Sequence, residues 1–292
     1  MAVPPLEALH AAGFDIALVV TGADKRRGRR AEPTPTPVKA AALRLGMPVT
    51  HDLDQVPTAG ADLGVVVAYG RILRRPLLES LPMVNLHFSL LPRWRGAAPV
   101  ERAVLAGDER TGVCVMAVEE GLDTGGVYAR AEVPIRSDAT AFELGRQLTE
   151  LGSELLVQTL RSGLEAPSAQ VGEPLYAHKI GPDDLRLRWT RPASELARVV
   201  RVGGAWTTFR GKRLKIAAAV AAGDPGDDGP RVAGELTGDQ VGTGDGVLHL
   251  IEVQPEGKAP MPAANWRNGA QPRPGELLGG DPDDPTDAGA MS

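Results

Sequence analysis

Four short apolar runs rich in β-branched residues most constrain what this chain can fold into: "DIALVVT" (15–21), "LGVVVAY" (63–69), "MVNLHF" (83–88) and "TGVCVMAV" (111–118). None is long enough to cross a membrane as a helix, which takes about 18–20 residues, and each reads as a buried strand. Helical or loop stretches separate them. Residues 4–12 have prolines in the first turn and Gly13 just after the end, and "TPVKAAALRLG" (36–46) has a Thr cap and a terminal Gly. "AFELGRQLTELGSELLVQTLRSG" (141–163) spaces apolar residues by three and four, as a long amphipathic helix does. Alternating strands and helices predict an α/β fold, a doubly wound, Rossmann-like, mainly parallel sheet. Aromatic residues make up only 4% of the chain, so its cores must be built from Val, Leu, Ile and Ala.

After about residue 164 the texture changes. "LRLRW", "AWTTF", "KRLKIAAAV", "RVAGEL", "QVGTG" and "VLHLIEV" read as short strands cut by Gly, Asp and Pro, which suits a small antiparallel, OB-like barrel. The expected organisation is a first domain over 1–164, a linker over 165–172, a second domain over 173–269 and a disordered tail over 270–292, rich in Gly, Pro and Asp. One cysteine, Cys114, excludes an intramolecular disulfide framework. With no signal-peptide core in "MAVPPLEALHAAG", the sequence reads as that of a cytoplasmic protein, a monomer by default, with no membrane association. The five histidines are scattered without ligand spacing, so no metal is implied.

In a parallel sheet, ligands bind beyond the C-terminal ends of the strands. Asn85 and His87 stand two apart on "MVNLHF" and project from one side. An amide donor beside an imidazole suits a carbonyl that becomes an oxyanion. The same pair is equally compatible with strand-end side chains that satisfy loop carbonyls. Asp123, in the Gly-flanked "EEGLDTGGV" (119–127), would favour the imidazolium if it lay near His87, and would otherwise be an ordinary turn aspartate. Ser89 is the only hydroxyl close by, with no G-x-S-x-G around it, so direct attack by a substrate amine is favoured over an acyl-enzyme.

These residues also carry a resemblance. "NLHFSLLPRWRGAAP" followed by "GLDTG" resembles the signature of the formyltetrahydrofolate-dependent formyltransferases, above all the branch acting on methionyl-tRNA. The likeness extends through "DLGVVVAYGRIL", "PTPVK", "YAHKI" and "QPEGKAPM". It implies that Asn85, His87 and Asp123 are catalytic and that Ser89, Leu90, Leu91 and Pro92 bind the reduced folate. It also implies 10-formyltetrahydrofolate as donor and the α-amino group of initiator methionyl-tRNA as acceptor, in the service of translation initiation. Two alternatives stay open: a related folate-dependent formyltransferase or hydrolase acting on another substrate, and a catalytically impaired tRNA-binding relative.

"DKRRGRR" (24–30) sets five positive charges on a chain of net charge -5. Charge runs are usually solvated loops, but the resemblance makes Lys25, Arg26, Arg27, Arg29 and Arg30 candidates for tRNA phosphates. Arg186, Arg188, Arg210, Lys212, Arg213 and Lys215 alternate with apolar residues as on a charged barrel face. Trp189, Trp206 and Trp266 read as core. The chain opens at a helix, whereas a doubly wound domain normally opens with a strand. A gap, or exposed ladder edges, is therefore expected in the sheet.

Overall fold

The structure is a computed structural model and describes residues 1–26, 32–223, 229–230 and 232–279. The chain divides into two compact units. The first comprises residues 1–100, 109–135 and 143–179; the second comprises 101–108, 136–142 and 180–292.

The first unit has the expected α/β architecture. Helix α1 (Val3–Ala11) has proline in its first turn. It leads to β1 (Val19–Val20), and a small hairpin of β2 (Lys25–Arg26) with β3 (Pro33–Thr34) follows. Helix α2 (Pro37–Arg44) starts where predicted, because Thr36 accepts a hydrogen bond from the Lys39 amide at 3.1 Å and Pro37 fills the first turn. Strand β4 (Val49–Thr50) pairs parallel with β1. Next, β5 (Gly64–Val66) pairs parallel with β6 (Met83–His87). The sheet then continues through two antiparallel strands, β8 (Arg110–Ala117) and β9 (Val127–Pro134). A short β7 (Arg95–Gly96), between β6 and β8 in the chain, pairs parallel with β10 (Tyr176–Ala177).

The expected gap is present. Among the described residues no ladder joins β1 to β5, and β1·β4 stands as a separate sheet from β5-β6-β8-β9. Between them lies an apolar cavity of about 240 Å³, lined among others by Leu6, Leu9, Leu18, Val20, Val65 and Val67. None of Asn85, His87 and Asp123 is among its lining residues.

Helix α5 (Ala141–Ser162) buries Leu144, Leu148 and Leu156 along one stripe. Its buried hydroxyls bond back to their own helix, Thr149 to the Gly145 carbonyl at 2.6 Å and Ser153 to the Thr149 carbonyl at 2.7 Å. Gly152 lets the helix approach β6 closely, since a Cβ there would stand 3.1 Å from the Leu86 side chain. Leu86 is 1% exposed, and burying such a side chain stabilises the fold by about 1.5–3 kcal/mol. Alternation along the strand then sends Asn85 and His87 to the face away from α5.

The second unit is an antiparallel sheet in the order β11-β12-β15-β14-β13, with β16 pairing β15. Its strands are β11 (Trp206–Phe209), β12 (Lys212–Ala222), β13 (Leu236–Thr237), β14 (Gln240–Gly242), β15 (Val247–Pro255) and β16 (Met261–Pro262). A register shift between Ile216 and Ala218 bends β12. Two helices, α6 (Ala193–Val202) and α7 (Ala263–Ala270), contribute Leu196 and Trp266 to a core with Leu214, Ile216, Leu248 and Leu250.

Several sequence expectations need correction. Residues 165–172, read as a linker, belong to the first unit, where Ser168 exchanges backbone hydrogen bonds of 2.8 and 2.9 Å with Val127. "LRLRW" is not a strand; its first Leu ends a 3-10 turn (Asp183–Leu185) and it makes one isolated bridge, Arg186 with Trp206. The tail read as disordered from 270 is docked at its start. Leu278 is 2% exposed, and the Leu278 amide donates to the Gly234 carbonyl at 2.8 Å. The rest of that tail, 280–292, lies outside the described residues.

Gly112 tests the packing that holds β8 in place. A Cβ at this position would meet the Ala131 carbonyl oxygen at 2.1 Å and Leu90 Cδ2 at 2.6 Å. Gly112→Ala is expected to destabilise the protein by roughly 1–3 kcal/mol in thermal or urea unfolding. An unchanged midpoint would show that β8 and β9 can part at no cost.

Candidate active site

The site is built on the end of β6. Because β8 runs antiparallel to β6, His87 lies opposite Cys114 and Asn85 opposite Met116. Cys114 and Met116 pack with Leu91 and Val127 into an apolar floor. Burial pushes the Cys114 thiol above its ordinary pKa.

The antiparallel register also alters how Asp123 arrives. Ala117, the last residue of β8, pairs with Val84 near the start of β6, so the C-terminal ends of the two strands are not neighbours. Asp123 reaches the site because the turn after β8 folds back across the β6 face. Its Oδ1 lies 3.4 Å from Asn85 Nδ2 and its Oδ2 lies 3.6 Å from His87 Nδ1. The structure thus brings together all three predicted catalytic side chains.

Two positive backbone angles make this possible, at Asp123 (φ 51°) and Trp94 (φ 64°). Such conformations cost of order 1–3 kcal/mol each and persist only where the surroundings over-determine them. The Gly96 amide donates to Asp123 Oδ2 at 2.7 Å, a short charge-assisted bond. The Trp94 carbonyl lies 2.9 Å from His87 Nε2. A carbonyl can only accept, so Nε2 carries the proton and donates, which leaves Nδ1 toward the carboxylate. His87 therefore does satisfy a loop carbonyl, and does so while facing a carboxylate.

Burial dominates the titration of His87. With the side chain 5% exposed, desolvation holds its pKa below the ordinary imidazole value; the Asp123 carboxylate and the Trp94 carbonyl oppose this without overcoming it. The resting ring is thus neutral near pH 7. A proton delivered to Nδ1 would be met by Asp123, while Asn85 retains a second amide N–H for a developing oxyanion.

The predicted folate segment is a tight loop whose side chains are largely spent inside it. Ser89 is fully buried and donates to the Arg93 carbonyl at 2.6 Å, Leu91 belongs to the apolar floor, and Leu90 and Pro92 are half-buried. This segment presents backbone and shape more than polar side chains. Of the basic loop, Lys25 and Arg26 lie on β2, and Arg26 is exposed. Arg27, Arg29 and Arg30 lie outside the described residues.

Sequence reasoning missed Trp94, Arg95, Gly96 and Gln170. Gln170 donates to the carbonyls of Asp123 and Gly125 and accepts from Arg95. No periodicity marks a backbone carbonyl or amide as a partner, and no residue type announces left-handed backbone at a Trp or an Asp.

A sheet that places an amide, an imidazole and a carboxylate beyond a central strand defines an α/β enzyme of group transfer. Residues 4–160 match the family described as formyl transferase and residues 179–271 match its C-terminal domain. The chain belongs to the formyl transferase family. It is 44% identical over 291 positions to the methionyl-tRNA formyltransferase of Clavibacter michiganensis subsp. michiganensis (strain NCPPB 382), covering 93% of this chain and 95% of that one. To the methionyl-tRNA formyltransferase of Symbiobacterium thermophilum (strain DSM 24528 / JCM 14929 / IAM 14863 / T) it is 43% identical over 286 positions, covering 90% and 88%. The fold is also that of the N-formyltransferase from Helicobacter canadensis, solved with folinic acid and dTDP-3-aminofucose. That likeness has a TM-score of 0.62 at 16% identity and covers 85% of this chain and 95% of the other.

Two outcomes are expected from the site. Removing one oxyanion donor typically lowers turnover roughly 10²–10³-fold and removing a general base roughly 10²–10⁴-fold, so Asn85→Ala and His87→Asn should lose about that much kcat respectively. Near-full turnover in either would remove that residue from the chemistry. The pH dependence follows from the depressed imidazole. The folded chain binds this proton less tightly than the unfolded chain does. His87 thus withdraws stability as pH falls from about 6.5 toward the folded value, and has no effect above that. If neutral His87 is the working form, kcat/KM declines on the acid side with an apparent pKa below about 6.5, and Asp123→Asn moves that limb lower still. A limb that moves up on this substitution would contradict the assignment.

Proposed function

We propose that the protein transfers the formyl group of 10-formyltetrahydrofolate to the α-amino group of initiator methionyl-tRNA. The observation that carries this reading is the convergence of Asn85, His87 and Asp123 at the end of β6, in a chain more than 40% identical to methionyl-tRNA formyltransferases along nearly its whole length. The free amide N–H of Asn85 stabilises the negative charge that develops on the formyl oxygen as the amine attacks the formyl carbon. The attacking nitrogen loses a proton to His87 Nδ1, and Asp123 balances the resulting imidazolium. The same proton then serves the departing folate nitrogen when the carbon–nitrogen bond breaks. Ser89, Leu90, Leu91 and Pro92 form the backbone-rich wall against which the reduced folate lies. Among the described residues no helix is long and apolar enough to cross a membrane; we place the enzyme in the cytoplasm, as a monomer.

The second unit supports tRNA contact. Trp206, read from sequence as core, is half-exposed, with Arg213 4.2 Å and Arg186 5.5 Å from its ring centroid. Lys215 lies opposite Trp206 in the register and is exposed, as are Lys212 and Arg213. Arg210 departs from the expected charged face because both carboxylate oxygens of Glu276 bind it, at 2.6 and 2.8 Å.

Formylation assays test the reading. Methionyl-tRNA is expected to be formylated and a UDP-aminosugar is not; the reverse would assign the chain to another branch of the family. Replacing Arg26, Arg27, Arg29 and Arg30 together by Ala should weaken tRNA binding and flatten its salt dependence, as lost phosphate contacts do, without altering folate affinity. Equal tRNA affinity at every salt concentration would return the loop to an ordinary solvated surface.

A further inference from the structure

We propose that Gln170 is the positioning residue that sets the Asp123 carboxylate against His87. The proposal rests on the formyl-transfer reading above. Gln170 Nε2 donates to the Asp123 carbonyl and to the Gly125 carbonyl, both at 2.8 Å. Its Oε1 accepts from Arg95 Nε at 3.1 Å and from Arg95 Nη2 at 2.7 Å. The orientation of the amide is fixed by chemistry. Carbonyls only accept and guanidinium only donates, so a flipped amide would oppose like groups at both ends.

The two segments that Gln170 joins are the two that make the carboxylate's strongest contact. Arg95 precedes Gly96, whose amide donates to Asp123 Oδ2 at 2.7 Å. Asp123 itself is held in left-handed backbone at φ 51°. Its side chain could relax from that conformation by rotating the peptide that follows it, which would swing the Asp123 carbonyl. Gln170 holds that carbonyl, and a second one two residues on. A single amide thus pins the strained residue and ties it to the strand that binds its carboxylate.

Gln170 is itself well placed to act as an anchor. Two residues before it, Ser168 and Val127 exchange backbone hydrogen bonds at the start of β9. Beyond it, the Leu175 carbonyl accepts from the Arg95 amide at 2.8 Å, and Tyr176–Ala177 pair with Arg95–Gly96. The chain from 168 to 177 is therefore a strap secured at both ends. Gln170 is half-buried and contacts no catalytic side chain in these bonds, so it acts through the backbone of Asp123.

The test compares Gln170→Met, which removes both donors and the acceptor, with Gln170→Glu, which keeps acceptors for Arg95 but sets a carboxylate against two carbonyls. Each is assayed beside the wild-type enzyme with 10-formyltetrahydrofolate and methionyl-tRNA. A small displacement of a catalytic group can cost on the order of 100-fold, so kcat should fall about tenfold or more in both variants, with KM for each substrate changed less than about twofold. Repeated in an Asp123→Ala background by single-turnover kinetics, the same Gln170 substitutions should cause almost no further loss, because the group they position is gone. Equal losses in the two backgrounds, an effect confined to KM, or full turnover in either single variant would overturn the proposal. Should Gln170→Met not fold, Gln170→Glu decides by the same criteria. A wild-type enzyme that does not formylate methionyl-tRNA would instead refute the functional reading.

Discussion

The bond from the Gly96 amide to the Asp123 carboxylate, 2.7 Å long, is the contact on which the arrangement of the site depends. It joins two parts of the chain that the sheet alone would leave apart, since β8 delivers the polypeptide to the wrong end of β6. A backbone donor has fixed direction and loses no rotamer entropy on binding. It can therefore hold a carboxylate more firmly than a mobile side chain of similar strength. With that oxygen fixed, Asn85 and His87 meet the carboxylate from one strand face, and the imidazole is neutral at rest but ready to become charged. The weaker distances to Asn85 and His87, 3.4 and 3.6 Å, follow from this division. The carboxylate is placed by backbone and only faces Asn85 and His87.

The second unit works by different physics. Its core is closed by Leu, Ile, Val, Phe and two tryptophans, and exposed basic side chains lie along β12. Alternation along β12 buries Leu214 and Ile216 and turns Arg213 and Lys215 outward, and Arg213 reaches the ring of Trp206 from that face. An indole flanked by guanidinium groups offers both a flat apolar surface and positive charge, the two properties that a single-stranded or distorted nucleic acid end can use. A charge count could not reveal this, because the acidic residues of the whole chain cancel its basic ones.

Much of the first unit was legible in the sequence, for reasons that differ from element to element. The capped start of α2 could be read because Thr36 and Pro37 satisfy local requirements that hold in any context. The apolar runs of β5, β6 and β8 could be read from β-branched density, and so could the pair Asn85 and His87, whose common face follows from the two-residue repeat of a strand. Asp123 could be named as a residue but not located, because apolar runs do not reveal whether two strands run parallel. The second unit was less legible. "LRLRW" alternates like a strand yet forms none, because no neighbour offers a ladder beyond the single Arg186–Trp206 bridge. Trp206 looked like core because aromatic residues usually are; its exposure depends on register with Lys215, which only tertiary structure decides. Residues 165–172 have the composition of a linker, and the glutamine that straps the site lies among them.

The apolar floor beneath Asn85 and His87 has a consequence for how the protein's breathing can be observed. The chain has one cysteine, and it sits directly across the ladder from His87, 1% exposed, with a thiol that burial keeps protonated. An alkylating reagent needs both access and thiolate, and the closed sheet denies both. Labelling therefore proceeds only through openings that uncover the cluster of Leu91, Met116 and Val127 packed with Cys114. Its rate at low reagent concentration is the opening equilibrium multiplied by the intrinsic reactivity of a free thiol. The chain thus carries, without any added probe, a chemical clock whose hand moves only when the ground under His87 gives way.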